Sequence, residues 1–162
     1  MTNQKLENNF LEIIEKHKKL IYKVSHLYCD NSIEKQDLFQ EIIANLWKAY
    51  PKFKGNSELS TWIYRIALNT AVSWIRISKK NNHITYHSFI PTIIEESETE
   101  EIYEILYAAI DHLSKVDKAL IVLQLDGYSY DEIAEIVGIT KTNVATRISR
   151  IKMKLKKDLS NS

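Results

Sequence analysis

Residues 129–157 read SYDEIAEIVGITKTNVATRISRIKMKLKK. This stretch decides the fold of the second half of the chain. Ser129 is a natural N-cap, and Glu132 stands three residues on, where its carboxylate can reach back to the cap's backbone N–H. Ile133, Ala134, Ile136 and Val137 give a short helix an apolar face. Gly138 can take the left-handed conformation that ends a helix, and Ile139 can plug the turn. Thr140 caps a second helix whose inner side is Val144, Ile148, Ile151 and Leu155. The other side of that helix carries Thr142, Asn143, Thr146, Ser149 and Arg150, small or polar groups able to reach base edges. Arg147, Lys152, Lys154, Lys156 and Lys157 flank and follow it, where they can neutralise phosphates. Positions 140–157 contain no acidic residue. The pattern predicts a helix-turn-helix with the second helix as reader. A helical hairpin with a solvated basic face has the same periodicity and stays open on this stretch alone.

Composition points the same way for the whole chain. Its 162 residues are 44% hydrophobic and 27% charged, as in a folded soluble protein, with room for one domain or two small ones. Three glycines and two prolines leave few tight turns, so the fold class expected is all-α. A net charge of +1 cannot by itself hold DNA. The bases are instead segregated into the last helix, while Glu95, Glu96, Glu98, Glu100 and Glu101 make an acidic run. Cys29 is the only cysteine, which excludes an internal disulfide and suits a reducing cytosol. The polar opening MTNQKLENN lacks the apolar core of a signal peptide, and no apolar run approaches the ~20 residues that cross a bilayer. A cytoplasmic protein without membrane insertion is expected.

Upstream, helices are expected over about 6–28, 33–50 and 61–79, and again over 101–113 and from a Ser114/Asp117 cap pair onward. On the second helix, Asp37, Gln40, Glu41, Asn45 and Lys48 form one polar stripe beside a broad apolar side of Leu38, Phe39, Ile42, Ile43, Leu46 and Trp47. That stripe is either a wet face or a docking face. On the third, Trp62, Ile63, Ile66, Ala67, Thr70, Trp74 and Ile77 are expected inside. Tyr64, Arg65, Asn69, Arg76, Lys79 and Lys80 are expected elsewhere on it, with Phe53 in the loop before. Aromatics interleaved with cations suit unpaired nucleic acid, where cations track phosphates and rings stack on bases. Tyr64 and Phe53 are left open between stacking and packing. His26 and Cys29, three apart, are read as packing or surface residues, because no second Cys or matching His pair completes a metal site. No cofactor is expected. No Gly-rich phosphate loop and no nucleophile–base pairing is present, which argues against an enzyme. The boundaries expected are 1–80 for a first domain, 81–100 for an acidic linker and 101–162 for a second domain.

Three segments together resemble one known family. DLFQEIIANLWKAYPKFKG (37–55), STWIYRIALNTAVSWIR (60–76) and LDGYSYDEIAEIVGITKTNVATRISRIKMKL (125–155) are similar, in order and spacing, to the small two-domain extracytoplasmic-function (ECF) group of bacterial RNA polymerase sigma factors, within the sigma-70 family. The resemblance covers nearly the whole chain. It implies a sigma region 2-like bundle and a region 4-like helix-turn-helix bundle. It assigns Asp37, Gln40, Glu41 and Asn45 to docking on core RNA polymerase, at the β′ clamp helices, with β as a further contact. It assigns Tyr64, Arg65, Asn69, Arg76, Lys79 and Lys80 to the −10 element. Thr142, Asn143, Thr146, Arg147, Arg150 and Lys154 fall to the −35 element. An anti-sigma factor is a further partner the family implies. The chain departs from the family at Ser114, where Pro is common, and at Ser73, where Asp is frequent. It also has Ile77-Ser78-Lys79-Lys80 for a denser arginine cluster, and Asn143 for a common Thr. These departures bear on which promoter is read. The competing function is a stand-alone helix-turn-helix regulator, which leaves the Asp37 stripe and the 60–76 helix without a role.

Overall fold

The computed structural model describes residues 2–81 and 100–161, the side chains of 78–81 and 100–103 excepted. Among these residues the chain is helical without strands. It forms two compact units, Met1–Ile84 and Thr85–Ser162.

In the first unit α1 (Asn3–Tyr28), α2 (Ser32–Ala49) and α3 (Leu59–Asn81) pack mutually, with a 3-10 turn at Tyr50–Lys52. Asn31 caps α2, its side chain accepting the Glu34 N–H at 2.8 Å. Phe10, Ile21, Val24 and Leu27 of α1 meet Leu38, Ile42 and Leu46 of α2 and Ile63, Ala67, Leu68, Ala71 and Ile75 of α3 in the core. Each of the larger side chains, the alanines excepted, contributes roughly 1.5–3 kcal/mol on burial. One end of the bundle is closed by rings. Phe10 lies 5.0 Å from Trp47 and 5.4 Å from Tyr50, and Phe53 lies 4.8 Å from Trp62.

Two expectations for α3 are corrected. The helix begins at Leu59, two residues before the expected start at 61, with the Trp62 N–H already bonded to the Glu58 carbonyl at 3.0 Å. Its buried face is also turned by about one residue, roughly 100°. Thr61, Tyr64, Leu68, Ala71 and Ile75 are buried, while Ile77 is 63% exposed and Trp62, Ile66 and Trp74 are half-buried. The cause is that α3 packs against both α1 and α2. Small residues let two neighbours approach, and the tryptophans lie at the margins of the contact.

In the second unit α4 (Glu100–Asp111), α5 (Lys115–Leu125), α6 (Tyr130–Val137) and α7 (Lys141–Ser160) form a small bundle. Lys118–Leu123 of α5 are all buried, and α5 and α7 each touch the other three helices. Lys118 is tolerated inside because its ammonium meets Asp111 of α4 at 3.1 Å. A lone buried charge would cost several kcal/mol, on the order stated for unpaired ions.

Candidate functional site

The helix-turn-helix is built by local rules. Ser129 and Glu132 form the full capping box, with the Glu132 N–H donating to the Ser129 hydroxyl at 3.2 Å and the Ser129 N–H donating to the Glu132 carboxylate at 2.7 Å. Gly138 ends α6 at φ +80°, and the N–H groups of Gly138 and Ile139 both reach the Ala134 carbonyl. Thr140 restarts the chain as α7, accepting the Asn143 N–H at 3.1 Å. Val144, Ile148, Ile151 and Leu155 are buried against the rest of the unit.

Burying that stripe turns the opposite side of α7 to solvent. Thr142, Asn143, Thr146, Ser149, Arg150 and Lys154 are all exposed. The Thr146 hydroxyl is tied back to the Thr142 carbonyl at 3.0 Å. Arg147 differs from its neighbours: its Nη1 donates to Asp117 Oδ1 of α5 at 3.2 Å. Lys141, at the start of α7, pairs with Asp131 at 3.2 Å, both well exposed. Neither carboxylate partner is marked by the periodicity of α7, since each comes from another helix.

In the first unit the polar stripe of α2 divides. Asp37, Gln40 and Glu41 are exposed. Asn45 is half-buried, and its amide donates to the Thr70 hydroxyl of α3 at 3.1 Å. Glu41 and Asn45 line one wall of a groove whose other wall is α3, with Asn69, Thr70, Ser73 and Trp74. Asn69 and Arg76 are exposed and Arg65 is half-exposed, spaced so that they share the solvent face of α3. Tyr64 is a correction: at 2% exposure it belongs to the core and cannot offer its ring to a base. Phe53 is half-buried, tilted against Trp62. The side chains of Lys79 and Lys80 lie outside the described residues, as does nearly all of the 81–100 segment. Ser73, which lies between the two faces assigned from spacing, joins the groove, and so does Trp74, which spacing puts inside.

Two unused groups have plain explanations. His26 Nδ1 contacts the Tyr22 carbonyl at 2.8 Å, and burial lowers its pKa. Cys29 is buried, and burial pushes its thiol up to about 12. Among the described residues no helix is long and apolar enough to cross a membrane.

Comparison with known proteins places both units in one family. Residues 13–80 match the family model of sigma-70 region 2, and residues 103–155 match that of sigma-70 region 4. The chain is 30% identical over 129 residues to the ECF RNA polymerase sigma-E factor of Haemophilus influenzae, across 70% of this chain and 68% of that protein. This chain belongs to the ECF group of the sigma-70 family. Another sigma-70 relative, RNA polymerase sigma factor YlaC of Bacillus subtilis, is 29% identical over 138 residues, across 78% of each chain. The fold is that of the sigma factor RpoE of Bartonella quintana, solved with the anti-sigma factor NepR. That likeness has a TM-score of 0.72 at 19% identity and covers 97% of this chain and 98% of the other. In this sigma-70 chain, α2 and α3 up to residue 80 therefore fall within region 2, and the capping box, Gly138 turn and α7 up to residue 155 within region 4.

Proposed function

We propose that this chain is a sigma factor that binds core RNA polymerase and directs it to promoters by reading −35 and −10 elements. The observation that carries the reading is that regions 2 and 4 occur in order on one chain, with an acid-free polar face on the region 4 helix. Residues 1–80 act on polymerase and the −10 element, 101–162 act on the −35 element, and 81–100 link them. Asp37, Gln40 and Glu41 dock on the polymerase, at the β′ clamp helices, and Asn45 supports them through α3. Arg65, Asn69 and Arg76, with Lys79 and Lys80, meet the −10 strand.

Thr142, Asn143, Thr146 and Arg150 enter the −35 major groove, while Arg147 and Lys154 lie along its phosphates. The protein makes and breaks no bond. Strand opening is driven by binding: unstacking a base costs a few kcal/mol, which capture of the unpaired form offsets. A soluble, cytoplasmic protein held in check by an anti-sigma factor fits the same scheme, supported by the fold it shares with a sigma factor solved in such a complex.

The test is transcription in vitro with core polymerase on a promoter library. Specific start sites that appear only when this chain is added are the expected result. A chain that binds promoter duplex tightly by itself, and never redirects core polymerase, is a stand-alone regulator instead.

A further inference from the structure

Among the described residues, Arg147 is the cation of α7 that meets a carboxylate from α5. It lies one turn after Asn143 and one turn before Arg150, roughly 60° around the helix from the buried Val144. That angle puts it at the flank of the reading face, where a docked helix meets the phosphate backbone. The Asp117 side chain keeps 28% of its accessible surface and the Arg147 side chain 39%. The pair is therefore open on one side and sheltered on the other. The Lys141–Asp131 pair, at 61% and 74%, has no such shelter from salt.

The carboxylate is available for a specific reason. Sequence pairs Asp117 with Ser114 as a cap, and the Asp117 N–H does donate to the Ser114 hydroxyl, at 3.3 Å. The reciprocal half of a capping box, which Glu132 completes at Ser129, is not made at Ser114. The Asp117 carboxylate turns to Arg147 instead. A carboxylate and a phosphate offer a guanidinium the same kind of charged oxygen acceptor. The contact here is a single one at 3.2 Å, longer than a strong charge-assisted bond.

We propose that Asp117 is an internal competitor for promoter phosphate. It occupies Arg147, so that α7 meets the −35 backbone with one effective cation fewer than its sequence contains. Asp117 thereby sets the strength and the salt dependence of promoter binding without touching a base. This inference rests on the reading of α7 as the −35 helix.

The experiment uses the full chain assembled with core polymerase, and measures affinity for a promoter duplex across a salt series. Asp117→Asn keeps the shape and the Ser114 cap while removing the charge. It is expected to raise affinity at low salt by about two- to fivefold, the factor a half-exposed pair commands. It should also steepen the slope of log K against log salt by about 0.9, the value for one added phosphate contact. In an Arg147→Ala background the same change should do neither. Weaker binding in Asp117→Asn, an unmoved slope, or an equal gain without Arg147 overturns the proposal. Arg150→Ala reports on the underlying reading. Unchanged promoter binding in that variant removes the −35 assignment and the proposal with it. Lost binding there, beside an unmoved Asp117→Asn slope, overturns the proposal alone.

Discussion

Asn45 and Thr70 join α2 to α3 by one hydrogen bond, the Asn45 amide donating to the Thr70 hydroxyl over 3.1 Å. The hydroxyl spends its own proton on the Ile66 carbonyl, at 2.7 Å, so it can serve Asn45 only as an acceptor. Thr70→Val keeps the shape and leaves the Asn45 amide without that acceptor. It should lower the stability of the first unit by about 1–2 kcal/mol, the cost of stranding a part-buried polar group. Denaturant unfolding of Thr70→Val, Asn45→Ala and the double variant measures it. Strictly additive losses would mean that the bond contributes nothing. The same series separates two roles for Asn45: weaker polymerase binding shared by Thr70→Val reflects α2–α3 alignment, and a loss confined to Asn45→Ala reflects direct contact.

Gly138 is required by its backbone and not by crowding. Its φ is +80°, yet a Cβ built there meets nothing within 4 Å. Gly138→Ala should therefore cost only the left-handed penalty, about 1–2 kcal/mol. Gly138→Asn should cost less, since Asn tolerates that conformation. Thermal or denaturant unfolding of the two variants decides it. Equal stability of Gly138→Ala and the parent would show that the α6–α7 turn adopts another conformation.

Cys29 links stability to alkaline pH. Burial, aided by Glu34 and Asp30, raises its thiol from 9.0 to about 12 in the folded chain. In the unfolded chain the thiol ionises near its ordinary value. Between those values the unfolded form has shed a proton that the native form keeps, so stability falls as pH rises. It is fully present below about pH 9, and the loss is at most about 1.4 kcal/mol per pH unit above it. Burial pushes the neighbouring Tyr28 phenol upward as well, which adds to the trend at higher pH. Cys29→Ala should flatten the decline between about pH 9 and 11. The native thiol should also react with iodoacetamide far more slowly than the unfolded one at pH 8.5. Fast alkylation of the native protein would contradict the burial of the thiol.

The local chemistry was legible in the sequence, and the long-range partners were not. The Ser129–Glu132 box, the Gly138 turn and the Thr140 cap depend on bonds three to five residues long, so spacing alone locates them. The inner stripe of α7 follows from a one-sided contact and was read correctly at Val144, Ile148, Ile151 and Leu155. On α3 the same method failed at Tyr64, because two packing neighbours widen the buried face and the large aromatics no longer mark its centre. Arg147 was seen as a cation on the reading helix, but its partner Asp117 lies thirty residues away, where no periodicity points. Asn45 was likewise placed on the polar stripe, while its bond to Thr70 depends on how α3 is turned.

The exposed part of the α2 stripe gives the last prediction. Leu38, Ile42 and Leu46 are fully buried, which fixes the rotation of α2 and leaves Asp37, Gln40 and Glu41 in solvent. Truncating these side chains removes no packing from the bundle, so stability should change by less than about 0.5 kcal/mol. Binding to core polymerase should nevertheless weaken by about tenfold in Asp37→Ala with Gln40→Ala, as for interface residues whose loss costs more than 1 kcal/mol. The charge on Asp37 adds a second signature: the loss should shrink as salt rises, because exposed ion pairs across an interface are screened. Competition against the parent chain for a limiting amount of core polymerase, at two salt concentrations, measures both. Undiminished competition by the double variant would reduce the stripe to a solvated face and move the docking surface elsewhere on the first unit.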